Sequence, residues 1–303
     1  MQQYPIDDIL NLSLTKFRTL LTYMNQNYRL RLRKIDDKIQ NFARKNNKIT
    51  FSKIQNELKI CEDNGIKCLS YFDNNFPYLL KQIKPPVKLV FIKGELKAED
   101  SKAVAIIGTR NPTTYGKKMA HDIAKRFVEL NFTIISGFAR GVDTIAIESA
   151  LDNGGRAIGV LPSGILNIYP KENVNLAERM EKNGVLISEK FPLKSVDRRA
   201  LQIRNRITSG LALGNIFVEG KRDSGTKWQL KYGKQQLKPS IAVKPVGDYE
   251  QAHVPNIIIN EEKGAIISEM DDVDVVAETL LEEYKKKNKP IKTQKTQTNI
   301  FNF

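Results

Sequence analysis

Glycine and arginine recur together directly after short apolar runs, a pairing suited to holding phosphate. Ile106-Ile107 leads into Gly108-Thr109-Arg110, with Tyr115-Gly116 close behind. Ile134-Ile135 leads into Ser136-Gly137-Phe138-Ala139-Arg140-Gly141-Val142-Asp143. Leu161-Pro162-Ser163-Gly164 precedes Ile168-Tyr169-Pro170-Lys171-Glu172-Asn173, and further on stand Arg204-Asn205-Arg206-Ile207 and Asp223-Ser224-Gly225-Thr226. A glycine lets the backbone approach an anion closely. A helix start presents unpaired N–H groups to it. An arginine fork matches a pair of phosphate oxygens. Lys171 adds a mobile cation, and Tyr169 either stacks on a base or packs beside Pro170. Asp143 reads as a helix N-cap rather than as a catalytic acid. Arg199 and Arg206 share a helix face and Arg204 lies away from Arg206, so one arginine of this segment faces the cleft while another tethers the helix.

These loops need a frame that brings them together. Between about 101 and 282 one rhythm repeats: apolar strand, glycine-bearing turn, amphipathic helix. Strands are expected at 103–107, 133–136, 157–161, 185–188, 216–219 and 240–243, with a later one at 265–267. Helices are expected at about 116–130, 143–152, 172–182, 198–212, 225–236 and 271–284. Met119, Ile123, Phe127 and Leu130 fall on one face of the first. Continuous apolar strands alternating with helices imply an α/β fold with a mostly parallel sheet covered on both faces. Every glycine loop then follows a strand end on one edge of that sheet, where open parallel sheets bind ligands. A glycine-lined edge with several separated cations fits a polymer of phosphates better than one small ligand.

The flanks differ in texture. Residues 1–66 read as a small, SAM-like helical N-terminal domain, with apolar stripes at Phe17, Leu20 and Leu21 and at Ile35, Ile39 and Phe42. Arg29, Arg31, Arg33 and Lys34 between them read as a solvated face. The main domain is placed at 67–284, opening with a junction that carries Phe76-Pro77, Pro85-Pro86 and the apolar run Leu89-Val90-Phe91-Ile92. Residues 285–303 hold Lys285, Lys286, Lys287, Lys289, Lys292 and Lys295 without an acid, and read as a disordered basic tail.

The 303 residues carry a net charge of +15, which draws polyanions. Their 41% hydrophobic content is ordinary for a globular protein. No run of about 18 apolar residues occurs, so no membrane span is expected. The first ten residues include Asp7 and Asp8 and do not read as a secretory signal, which makes the cytoplasm the expected location. Cys61 and Cys68 lack the spacing and the histidines of a zinc site and are expected to be partly buried thiols. No GxGxxG is present, so no dinucleotide cofactor is indicated.

The ordered motifs Gly108-Thr109-Arg110 with Tyr115-Gly116, Ser136 through Asp143, Ile168-Tyr169-Pro170 with Asn173, Leu186-Ile187-Ser188-Glu189, and Arg204-Asn205-Arg206-Ile207 with Ser209-Gly210-Leu211 together resemble the DprA/Smf DNA-processing family. Upstream, Phe76-Pro77-Tyr78-Leu79-Leu80 with Pro85-Pro86 and Gly94 is similar to that family's approach to its Rossmann domain. The resemblance covers about residues 70–245. It implies an extended Rossmann fold, single-stranded DNA binding, a homodimer formed through the Rossmann domain, and loading of a RecA-type recombinase during transformation. By motif match, Gly108, Arg110, Gly137, Arg140 and Lys171 contribute to the nucleic-acid pocket, while Arg204 and Arg206 orient it. Thr109, Ser136, Gly141, Ser224 and Gly225 complete the candidate binding set.

Binding without turnover is the leading reading, so the chain is not expected to be an enzyme. One alternative is a nucleotide phosphoribohydrolase of the lysine-decarboxylase-like (LOG) type, which shares this Rossmann variant. That family carries paired glycines followed by a glutamate, where this chain has Asp223-Ser224-Gly225-Thr226 and Lys227-Trp228-Gln229, and no acid–base pair is evident. Another alternative is a nucleotide-sensing domain whose basic cleft binds a signalling molecule.

Overall fold

In the computed structural model, residues 51–287 are described, apart from Tyr71, Phe72, Asn74, Pro85, Pro86 and Lys88. The expected helices over 1–50 and the tail over 288–303 lie outside the described residues. Helix α1 (Phe51–Asp63) leads into β1 (Lys67–Ser70). The short α2 (Tyr78–Gln82) precedes β2 (Leu89–Gly94). The repeating unit follows as β3 (Ala103–Ile107), α3 (Thr114–Glu129), β4 (Thr133–Ser136), α4 (Val142–Asp152), β5 (Ala157–Val160), α5 (Val174–Asn183) and β6 (Gly184–Ser188). The chain then crosses back through α6 (Arg198–Ile203) and α7 (Asn205–Leu211) to β7 (Asn215–Phe217). It closes with α8 (Thr226–Gln235), β8 (Ser240–Val243), α9 (His253–Asn260), β9 (Ala265–Ile267) and α10 (Asp271–Lys287).

One nine-stranded sheet results, ordered β1-β2-β6-β5-β4-β3-β7-β8-β9. Neighbours from β6 through β9 are parallel, and β1 and β2 add to one edge antiparallel. All five residues of β3 are buried, as a strand flanked on both sides requires. Its side chains alternate: Val104 and Ile106 join the core under α3 and α4, while Ala103, Ala105 and Ile107 join the core under α2 and α7. A third cluster, centred on Phe217, Ala242 and Val254, lies beneath α8 and α9.

Helix α3 shows why these elements form where they do. Thr113 caps it by accepting a hydrogen bond from Gly116 N at 3.0 Å. Met119, Ala120, Ile123, Ala124 and Phe127 are its buried stripe. Burying Phe127 alone contributes about 1.5–3 kcal/mol relative to leaving it in water. Cys61 and Cys68 are buried. Burial, with Glu57 adding to it, pushes the Cys61 thiol up to about 12, which keeps it protonated and unreactive.

Several expected elements shift. The helix expected over 198–212 divides at Arg204, whose backbone stays helical (φ −54, ψ −33) while α6 ends and α7 begins. Strand β7 stops at Phe217, leaving Glu219 beyond the ladder. Helix α9 forms where no element was expected; Pro255 sits in its first turn, where a missing N–H costs nothing. Helix α10 runs through Lys287, so residues 285–287 of the expected tail are helical. Among the described residues, no helix is long and apolar enough to cross a membrane.

Candidate nucleic-acid interface

The C-terminal ends of β3, β4, β5 and β7 lie on one edge of the sheet, and the glycine loops leave from there. The loops after β3 and β4 interlock. Val142 N donates to Thr109 O at 3.2 Å. Gly141, the residue before α4, has φ +77, a conformation L side chains rarely adopt. A β-carbon there would also stand 2.4 Å from Thr109 O and 2.6 Å from Arg110 O. Phe138 adopts φ 58 with its ring fully buried. A bulky residue held in the left-handed region costs on the order of 1–3 kcal/mol, and such strain concentrates at functional sites. The loop is held from outside: Asn173 Nδ2 donates to Phe138 O at 3.1 Å, and Thr144 Oγ1 donates to Ala139 O at 2.7 Å.

An open-mouthed hollow of about 380 Å³, part of it open solvent, lies over these loops. Arg110, Gly137, Phe138, Ala139 and Arg140 line it from the ends of β3 and β4. Pro162, Tyr169 and Pro170 form a second wall after β5, with a cis peptide bond between Tyr169 and Pro170. Leu201 and Arg204 close it from α6 and its end.

Arg204 is the best-placed cation. Its side chain is 10% exposed, with Nη1 3.7 Å from Oδ2 of the buried Asp143. Its Nε is buried and has no hydrogen-bond partner among the described residues. The guanidinium lies across Gly137, where a β-carbon would meet Nη1 at 1.1 Å. Burial pushes the Arg204 guanidinium below its ordinary range; Asp143 opposes that push and Arg110 reinforces it. Burial likewise raises the Asp143 carboxyl, against the pull of Arg204 and of hydrogen bonds from Ala139 and Gly108. Arg110 is exposed and forms no ion pair among the described residues. Arg140 is exposed and reaches Glu172 at 3.1 Å. The hollow thus carries Arg110, Arg140 and Arg204 against one buried carboxylate. Arginine forks grouped in this way suit an oxyanion.

The expected site residues separate into groups. Arg110, Gly137, Arg140 and Arg204 line the hollow together. Gly108, Thr109, Ser136 and Gly141 build the loops beneath it; Ser136 is fully buried and its Oγ donates to Ile106 O at 2.6 Å. Lys171 is exposed beside the lining residue Pro170 but does not line the hollow. Arg206 is turned away and binds Glu189 at 2.5 Å, the tether expected of one arginine in this segment. Ser224 and Gly225 stand at the start of α8, outside the hollow. Asp143 departs from the N-cap reading: Gly141 precedes α4 without a side-chain cap, and Asp143 lies inside the first turn facing Arg204. Leu201 carried no polar signal and was not anticipated.

A second feature occupies the reversal of strand order between β3 and β7. Glu219, beyond β7, is fully buried. It accepts hydrogen bonds from Thr113 N at 2.9 Å and from Thr113 Oγ1 at 2.6 Å. This tether ends the loop that carries Arg110.

A family model described as DNA recombination-mediator protein A matches residues 67–290. The DNA processing protein DprA of Bacillus subtilis (strain 168) is 35% identical over 177 residues, or 58% of this chain and 60% of that protein. The chain therefore matches only part of that relative's length. The X-ray structure of DprA from Streptococcus pneumoniae superposes with a TM-score of 0.72 at 25% identity, covering 91% of this chain and 98% of that one. A structure reporting the single-stranded DNA binding mode of DNA processing protein A from Helicobacter pylori superposes with a TM-score of 0.63 at 26% identity, covering 72% and 96%.

Proposed function

Because this chain belongs to the DNA recombination-mediator protein A family, we propose that it binds single-stranded DNA without turnover and acts as a mediator in DNA uptake, processing or homologous recombination. The observation that carries the reading is the gathering of Arg110, Arg140 and the largely buried Arg204 on one hollow. A backbone phosphate in that hollow meets the Arg204 guanidinium, whose fork suits a pair of phosphate oxygens. Adjacent phosphates meet Arg110 and Arg140, and Tyr169 offers a ring for a neighbouring base. The parent activity attributed to the Helicobacter pylori protein, single-stranded DNA binding, transfers to this chain on that basis.

The same reading places the protein in the cytoplasm, as a homodimer formed through its Rossmann domain that hands single strands to a RecA-type recombinase. Gel shifts with single- and double-stranded DNA of one sequence, each at two salt concentrations, test the binding step. Preference for the single strand, weakening as salt rises, supports it. Equal affinity for the duplex, or no binding at low salt, rejects it.

A further inference from the structure

In an open parallel sheet, the crevice where strand order reverses is the ordinary seat of a nucleotide's phosphates, held against the start of the next helix. Here that crevice lies between the ends of β3 and β7, at the N-terminus of α3. Glu219 already stands in it. Its carboxylate takes the N–H and hydroxyl of Thr113, the residue that caps α3. The Tyr249 hydroxyl interacts with it: burial, with Glu219 adding to it, drives that hydroxyl above its ordinary range. Gly116, in the first turn of α3, leaves room for the carboxylate: a β-carbon there would fall 2.4 Å from Cδ and Oε2. Among the described residues no lysine or arginine forms a salt bridge with Glu219. A helix start, a capping hydroxyl, a phenol and a missing β-carbon therefore surround a fully buried anion, the arrangement a bound phosphate would have.

We propose that Glu219 is a resident anion that closes this cradle to the phosphates of mononucleotides and dinucleotides. It is then a specificity-determining residue. With the strand-reversal crevice filled from within, external phosphate is left the Arg110–Arg204 hollow beside it. That last consequence rests on the DNA-binding reading; the filling of the cradle does not.

The test is chemical rescue in the full chain. Glu219→Ala empties the cradle, Glu219→Gln keeps its volume filled, and Leu230→Ala, in the core under α8, controls for general stabilisation by anions. Thermal melts are run in inorganic phosphate and in chloride at equal ionic strength. At about ten times its Kd, phosphate bound in the emptied cradle raises the Tm of Glu219→Ala by roughly 3–6 °C beyond its effect on the wild type, Glu219→Gln and Leu230→Ala. AMP followed by calorimetry gains measurable affinity in Glu219→Ala alone. If Glu219→Ala does not fold in chloride, refolding in phosphate replaces the melt, and recovery in phosphate only supports the proposal. A phosphate response no larger than that of the controls, or no recovery in either salt, overturns it. Single-stranded DNA binding by the wild type is scored separately, so its failure leaves this result standing.

Discussion

The guanidinium of Arg204 lies where a β-carbon on Gly137 would stand, 1.1 Å from Nη1. Two residues far apart in the chain thus share one volume, and only glycine at 137 lets the arginine lie flat across the β4 loop. A long side chain can swing aside without breaking the fold. Gly137→Ala therefore expels the guanidinium from the hollow rather than unfolding the domain. Gly137→Ala and Arg204→Ala should each lower single-stranded DNA affinity about tenfold or more, the worth of one hydrogen bond to a charged group. The double variant should be little worse than either single one. Fluorescence anisotropy on the three proteins measures this, and full additivity contradicts the shared-volume account.

Asp143 gives a pH prediction with a definite sign. Burial raises its carboxyl above the ordinary 3.8. The folded state then holds its proton at pH values where the unfolded chain has lost it, so stability falls as pH rises from about 4 through the raised value. Asp143→Asn removes this dependence. Urea denaturation across pH 4–8 should show a stability loss in the wild type that is absent in the variant. Above the raised value, where the wild-type Asp143 is ionised, the variant's hollow carries one more net positive charge, so its affinity for DNA should fall more steeply with salt.

Arg110 and Lys171 should part company. Arg110 lines the hollow and has no carboxylate partner among the described residues, whereas Lys171 stands outside the lining. Arg110→Ala should weaken binding to all sequences alike and flatten the slope of log K against log salt by about 0.7, the share of one phosphate on a single strand. Lys171→Ala should change the slope less. Because Arg110 is exposed, its removal should leave Tm within the small range usual for surface substitutions. Equal effects from the two variants would contradict the placement.

Arg156 supplies the converse case. It binds Asp100 through Nε at 3.0 Å and Nη2 at 2.8 Å, and Thr133 Oγ1 donates to the same carboxylate at 2.8 Å. This cluster joins the starts of β4 and β5, the edge opposite the hollow. Arg156→Ala leaves Asp100 buried without its cation and should cost about 3 kcal/mol in chemical denaturation. Below the melting transition its DNA affinity should match the wild type. A large affinity loss would mean that the two edges of the sheet are coupled.

How much of this was legible in the sequence follows from what each residue depends on. Strand β3 and helix α3 were readable because apolar runs and a 3.6-residue stripe are local signals. The convergence of the Gly108 and Gly137 loops was readable because parallel strands all end on one edge. The break at Arg204 was not, since the arginine keeps helical dihedrals and no glycine or proline marks it. Asp143 looked like an N-cap because its position near a helix start fits both roles; only the facing arginine decides between them. Glu219 reads as one residue of an apolar strand until Thr113, 106 positions earlier, is seen to donate to it. Leu201 contributes a wall, and a leucine at helical spacing announces only burial.

The central claim is that the hollow accepts one phosphate of a continuing strand. Titrating the wild-type chain with a mononucleotide and with oligonucleotides of increasing length, at one fixed salt concentration, tests it most directly. Affinity should climb with length and then level off, with the mononucleotide far weaker than any oligomer and the climb reduced in Arg204→Ala. Saturation by the mononucleotide at the affinity of the longest oligomer would contradict it.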